Sequence, residues 1–324
     1  SVPSLRLANL MRLSHNLSVD LYVQQTVRGA KLVVVRLLGG RSYWRYGVDE
    51  ITATCRKHGV PVAFLPGDDQ PDAELDNVTT LPHEAADRLW RYLVQGGIFN
   101  ATQFLAYAGT LINHQSDWQE PSTLMRAGLY WANMSQPDLC DLRRIWQAAD
   151  LANAPVAALV FYRALLQAGN LAAVDALMTE CMKVGLRPLP LHATSLRDPQ
   201  AGAIIRQQLA DTPPDIILNM TGFAVSKMSA PGESSPFNET DCPVLQVVFS
   251  GGNEEQWRNT TNGLSPRDIA MNVALPEVDG RVLARAVSFK SVERRDDLTQ
   301  ADIVTYTPVP DRIKFTARLA ANWC

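Results

Sequence analysis

Neither cysteine nor histidine is arranged here to hold a metal. The five cysteines, Cys55, Cys140, Cys181, Cys242 and Cys324, are scattered, odd in number and never in a CxxC pair. That excludes a zinc ribbon and argues against a disulfide framework, so reduced thiols in a cytoplasmic protein are expected. The five histidines, His15, His58, His83, His114 and His192, never fall at i, i+4, so spacing offers no helical metal site. Long apolar runs are missing too. Leu32–Leu38, broken by Arg36, and Val156–Phe161 are far shorter than the roughly 18 residues of a membrane-spanning helix. Charge of one sign is also scarce. With a net charge of −3 and no dense Lys/Arg block, the chain has no electrostatic footprint for nucleic acid. No GxxxxGK[ST] is present, which removes the phosphate cradle of an ATPase. No GxGxxG follows the early strands, and HExxH, GxSxG and kinase motifs are absent. The Asn-x-Ser/Thr triplets at Asn77, Asn133, Asn219 and Asn238 read as composition.

What is present is ordinary globular material. The 324 residues leave room for about two domains, and 46% hydrophobic with 19% charged residues suits a protein with a real core. Residues 1–30 hold a short amphipathic stretch (Leu7, Leu10, Met11, Leu13). Lys31–Leu38 is a β-branched apolar run of the kind that forms a buried parallel strand, ended by Gly39-Gly40. A helix follows with Val48, Ile51 and Cys55 on one face and Gly59 at its end, and Pro61–Leu65 is the next strand. Helices are expected over His83–Leu93, Gly97–Ile112 and Leu139–Leu151, with a polar loop over His114–Pro137.

The alternation of strand and helix restarts at Ala154-Pro155, the expected domain junction. Strands are predicted at Val156–Phe161, Leu186–Leu191, Asp215–Asn219 and Val244–Phe249, and helices at Leu171–Lys183, Gln200–Leu209 and Arg312–Asn322. Ala230–Asp241, rich in Pro, Ser and Gly, reads as an exposed excursion. The expected architecture is therefore α/β: an N-terminal segment (1–30), a first doubly wound, Rossmann-like lobe with a helical insertion (31–153) and a second lobe with a C-terminal helix (154–324). Ligands of such sheets bind outside the carboxyl ends of the strands. Here those ends are Gly39–Tyr46, Pro66–Asp69, Tyr162-Arg163, Thr194–Asp198, Thr221–Ser226 and Ser250–Asn253.

Several segments carry a family resemblance. LVVVRLLGGRSYWRYGVDE (32–50), VAALVFYRALLQAGN (156–170), SLRDP (195–199), ILNMTGFA (217–224), PVLQVVFSGGNEEQW (243–257), GLSPRDIAMNVALPEVDGR (263–281) and VSFKSVERRDDLT (287–299) come in order along nearly the whole chain. Together they resemble the large subunit of aerobic cobaltochelatase, in the family shared with the porphyrin-binding subunit of magnesium chelatase. The resemblance implies an N-terminal piece of a longer chain, with Cys324 before the family's large C-terminal half; the opening Ser1 in place of Met agrees. It implies a ligase-type metal chelatase of cobalamin biosynthesis, inserting Co²⁺ into hydrogenobyrinic acid a,c-diamide. ATP and Mg²⁺ would be bound by an AAA+ ATPase subunit and its companion, not by this chain, which would be inactive alone. A magnesium chelatase-type porphyrin-binding subunit, a two-lobed small-molecule-binding protein and a scaffold for partner subunits remain as alternatives.

Metal insertion needs a group that takes the ring N–H protons and a ligand that delivers the ion; carboxylates serve both. Glu277 is the first candidate for this catalytic work and Asp279 the second, both set around the turn that ends in Arg281. Alternatively, both acids brace the turn. Carboxylates and amides on a corrinoid rim suit arginine, so Arg41, Arg45, Arg163 and Arg281 are candidate substrate-binding residues. Tyr43, Trp44 and Tyr46 offer flat apolar surface beside the first two. Gly222, Phe223, Ser250, Gly251 and Gly252 follow strands, where glycine permits close backbone approach to a ligand or a tight turn. His192 is expected to pack at a strand end, and the metal ligands stay unassigned.

Overall fold

The computed structural model describes residues 4–134, 136–226, 235–261 and 263–324. The chain forms two compact units, one of residues 1–124 with 294–303, the other of residues 125–293 with 304–324.

In the first unit, β1 (Val33–Leu37) and β2 (Val62–Pro66) pair in parallel, Val33 opposite Val62 and Leu37 opposite Pro66. α1 (Asn16–Gln25), α2 (Gly40–Tyr43), α3 (Arg45–His58), α4 (Ala73–Val78), α5 (His83–Gln95) and α6 (Gly97–Thr110) surround them. Alternate strand residues feed opposite faces. Val35, Leu37, Val62 and Phe64 pack with Val19, Val23, Val48, Ile51 and Cys55, whereas Ala63 and Leu65 pack with Ala85, Ala86, Leu89, Tyr92 and Tyr107. α3 ends where Gly59 adopts φ 68°, a left-handed cap favoured by glycine.

The second unit is built on a seven-stranded sheet of order β3-β5-β4-β6-β7-β8-β9. Its strands are β3 (Ala127–Leu129), β4 (Val156–Tyr162), β5 (Arg187–Ala193), β6 (Ile216–Asn219), β7 (Val244–Ser250), β8 (Val282–Asp296) and β9 (Ala301–Pro308). β5, β4, β6, β7 and β8 run parallel, and β3 is antiparallel to β5. α7 (Leu139–Ala148) and α10 (Pro199–Asp211) cover one face, over Val156, Ala158, Val160, Leu189 and Leu191. α9 (Ala172–Lys183) and α14 (Pro310–Trp323) cover the other, over Ala157, Leu159, Phe161, Ile216 and Leu218. Because both faces are buried, β4 is apolar throughout, as parallel strands between helices must be. The short helices are α8 (Arg163–Gln167), α11 (Glu254–Asn259), α12 (Pro266–Ile269) and α13 (Leu275–Glu277), the last two joined by a π turn over Ala270–Ala274.

The expected α/β class holds as a mixed α/β fold, although the first unit's sheet has two strands where a doubly wound lobe was expected. The division also departs from the expected junction at Ala154-Pro155. β3 and α7, assigned to the first lobe, belong to the second unit because β3 pairs with β5 and because Leu142 and Trp146 are buried against its sheet. β3 itself falls inside the expected loop His114–Pro137, and β8 and β9 were not foreseen as strands. Part of the excursion at Ala230–Asp241, residues 230–234, lies outside the described residues. Among the described residues, no helix is long and apolar enough to cross a membrane.

Candidate functional site

The second unit's sheet reverses its winding beside β4. From β4 the chain moves to β5 on one side, and from β6 to β7 on the other. Such a switch point leaves a crevice outside the carboxyl ends of the strands. A cleft of about 400 Å³ lies there, lined by Tyr162 from the end of β4, Thr194–Arg197 after β5 and Gly222–Val225 after β6.

The loop after β6 is held at nearly every peptide. The Tyr162 hydroxyl donates to the Gly222 carbonyl (3.0 Å), and the Phe223 N–H donates to the Met271 carbonyl inside the π turn (2.7 Å). Arg197 Nε donates to the Ala224 carbonyl (2.8 Å), while the N–H groups of Val225 and Ser226 donate to the two oxygens of Asp279 (2.7 and 3.0 Å). Gly222 allows a close approach, since a Cβ there would lie 3.0 Å from Asn272 Oδ1 and 3.1 Å from the Met271 carbonyl and would press both back by a few tenths of an ångström. Phe223 adopts φ 64°, an uncommon conformation for a bulky residue, and is 40% exposed.

Arg281 and Asp279 form a buried pair behind this loop. Arg281 Nη2 donates to Asp279 Oδ2 at 2.7 Å, with both side chains 1% exposed. Arg281 also donates to Gln246 Oε1 (3.3 Å) and the Thr221 carbonyl (3.4 Å), and lies over the Phe237 ring. Burial pulls its pKa down and Asp279 opposes that shift. Asn219, Thr221 and Gln246 complete a buried network around it. Glu277, two residues before Asp279, is exposed, and its carboxylate has no hydrogen-bond or ion-pair partner among the described residues.

Ser250 is buried at the end of β7, whereas Gly251 is exposed and Gly252 half-buried. Ser250 Oγ donates to Asp268 Oδ2 (2.7 Å) and accepts from the Gly252 N–H (3.1 Å), and the Gly251 N–H donates to Asp268 Oδ1 (3.1 Å). Asp268, in α12, is itself 5% exposed, so these bonds tie the turn to α12. Arg163 opens α8 directly after β4. His192, 3% exposed on β5, has its pKa lowered to about 4 by burial and by the charge of Arg163.

Arg41 and Arg45 belong to the first unit, so they do not line the second unit's cleft. Arg41 Nη2 donates to Asp49 (2.7 Å), and Arg45 stands 3.9 Å from the same carboxylate with its side chain 79% exposed. Of the three aromatics beside them, Trp44 is tied to the Leu13 carbonyl and Tyr46 to Asp20, leaving Tyr43 the most open at 63% exposed. A second cleft of about 400 Å³ at the ends of β1 and β2 includes Asp68, Asp72 and Glu74 in its lining. Its acidic walls suit no carboxylate ligand, and the described residues contain no cluster of three or more His, Cys, Asp or Glu that could hold a metal ion.

The structure thus brings together Gly222, Phe223, Asp279 and Arg281, with Glu277 nearby in sequence. Sequence reasoning missed Tyr162, Thr194, Arg197 and Met271 as individual residues. Arg197 stood within the segment SLRDP, at an expected strand end, which was the available signal.

The family model described as CobN/Magnesium Chelatase matches residues 90–324. The aerobic cobaltochelatase subunit CobN of a Sinorhizobium species is 42% identical over 324 residues, covering 99% of this chain and 25% of that protein. Its Pseudomonas aeruginosa counterpart is 41% identical, with 99% and 25% covered. A magnesium-chelatase subunit of Rhodobacter capsulatus is 27% identical over 217 residues, 62% of this chain and 18% of that one. Among solved structures, the catalytic subunit of cobaltochelatase from Mycobacterium tuberculosis superposes with a TM-score of 0.68 at 29% identity, over 93% of this chain and 24% of that chain. The chain spans about a quarter of the length of the curated cobaltochelatase relatives it matches.

Proposed function

This chain belongs to the CobN/magnesium chelatase family, and from that premise we propose that it is part of the ring-binding large subunit of a cobaltochelatase. The reaction is insertion of Co²⁺ into hydrogenobyrinic acid a,c-diamide in cobalamin biosynthesis, a ligase-type step. It is driven by ATP and Mg²⁺ on a partner AAA+ subunit with its companion, in the cytoplasm. The carrying observation is the identity of 42% over nearly the whole chain to a cobaltochelatase subunit, against 27% over 62% for a magnesium-chelatase subunit. The absence of a P-loop motif supports ATP hydrolysis elsewhere.

In this reading the second unit's cleft receives part of the ring. Glu277, exposed and unengaged, is the candidate that accepts ring N–H protons or hands over the metal. Asp279 already accepts from two backbone N–H groups and from Arg281, so it and Arg281 position the cleft loop. Arg163 stands at the end of β4. The Ser250–Gly252 turn, at the end of the neighbouring strand β7, is tied to Asp268 and offers backbone for close approach of the ring, and Arg41 with Arg45 offers a separate contact for rim carboxylates. With about three quarters of its relatives' length outside this chain, it is expected to bind ring without turning over. Titration with hydrogenobyrinic acid a,c-diamide, followed by ring absorption and tryptophan quenching, should saturate. No response would contradict the proposal.

A further inference from the structure

The switch-point cleft has chemistry more specific than a general ring surface. Arg197 is exposed, and its Nε is fixed by the Ala224 carbonyl at 2.8 Å. Its two terminal nitrogens have no partner among the described residues. A guanidinium held at one nitrogen presents its remaining N–H groups as a preset fork, which fits a carboxylate. Thr194 and Ser195 line the same wall. Phe223, next to Ala224, lines the cleft too, held at φ 64° with its N–H bonded to the Met271 carbonyl and its side chain partly open to solvent. A bulky residue kept in a strained conformation by surrounding bonds is a sign of a functional position. The cleft therefore pairs one charged fork with one flat apolar face.

Size narrows the occupant further. Small-molecule pockets run from roughly 300 to 1,000 Å³, so a cleft of about 400 Å³ takes an edge and a substituent, not a whole tetrapyrrole. We propose that this cleft is a rim subsite, in which Arg197 binds a side-chain carboxylate of the macrocycle while Phe223 packs against the adjoining ring edge. Arg197 is a specificity-determining residue here, and the Asp279–Arg281 pair is its positioning support through the loop they hold. The proposal rests on the ring-binding reading given above.

The test compares hydrogenobyrinic acid a,c-diamide with the same ring fully amidated, titrated into the intact chain and its variants. The unaltered chain should prefer the free acid by roughly tenfold, the scale of one charge-assisted hydrogen-bonded pair. Arg197→Gln should erase that preference, Arg197→Lys should retain part of it, and both should keep weak binding of the amidated ring. Phe223→Gly should weaken both rings alike without lowering Tm, since glycine relieves the positive φ. A preference that survives Arg197→Gln, or an amidated ring bound as tightly as the acid by the unaltered chain, overturns the subsite and leaves ring binding intact. No saturable binding of either ring by the unaltered chain overturns the ring-binding reading, and the subsite with it.

Discussion

At the scale of single residues, the second unit's site depends on Asp279. Its two oxygens take the Val225 and Ser226 N–H groups and the Arg281 guanidinium, and the Asp279 and Arg281 side chains are both shielded from water. Removing one partner of a buried pair strands the other charge, which costs about 3–5 kcal/mol. Asp279→Ala should therefore lower unfolding free energy by that amount in urea denaturation, whereas an effect below about 1 kcal/mol would deny the pair its structural role. His192 gives a pH signature. Its folded pKa, about 4, lies below the ordinary 6.5, so the unfolded chain binds the extra proton first as pH falls. The stability it permits is complete above pH 6.5 and is lost between 6.5 and about 4, on the order of 3 kcal/mol in total. His192→Gln should remove that share of the acid sensitivity, measured as the difference between the two chains' stability–pH curves. The residues of this site were legible unevenly. Glu277, Asp279 and Arg281 could be picked from one short segment, but nothing local said that two of them pair in the core while the third faces water. That is decided by Gln246 on β7 and Thr221 just after β6, both distant in sequence.

Among elements, the parallel strands were the most readable, because burial writes them as mainly apolar, β-branched-rich runs: β1, β4, β6 and β7 stand within two residues of their expected bounds. β8 and β9 were not readable in the same way. β8 is buried only over Ala286–Phe289, and its charged far half, with Glu293, Arg294 and Arg295, has neither an apolar run nor a clear alternation. The helix from Pro266 to Glu277 was hidden by its π turn, which breaks the 3.6-residue pattern. β3 is three residues long and is a strand only because β5 lies beside it. One helix offers a test with an unusual sign. Gly47 sits in the first turn of α3, and a Cβ there would lie 2.2 Å from the Trp44 indole. Alanine ordinarily strengthens a helix relative to glycine. Here Gly47→Ala should instead destabilise by about 1–3 kcal/mol, because the indole must leave its place. A rise in Tm for this variant would show that Trp44 is not packed as described.

On the scale of the whole molecule, the two units divide where strand pairing dictates, not where the sequence alternation restarts. Alternation marks the first central strand of the second sheet, but its edge strand and covering helix precede that point in the chain. The sequence held no membrane-length apolar run and no P-loop, and the ordered motif trail carried the family. Each unit carries a cleft at the carboxyl ends of parallel strands; the second unit's is lined by a guanidinium whose two terminal nitrogens have no partner among the described residues, and by an exposed aromatic ring. The proposed role of the second unit is to bind the ring of the cobalt pathway. It is tested most directly by titrating the purified chain with hydrogenobyrinic acid a,c-diamide and, in parallel, with protoporphyrin IX, following tryptophan quenching and ring absorption. Saturable binding of the first is expected, with the second at least tenfold weaker, a gap of about 1.4 kcal/mol. Equal or tighter binding of protoporphyrin IX, or no binding of either ring, would contradict this role.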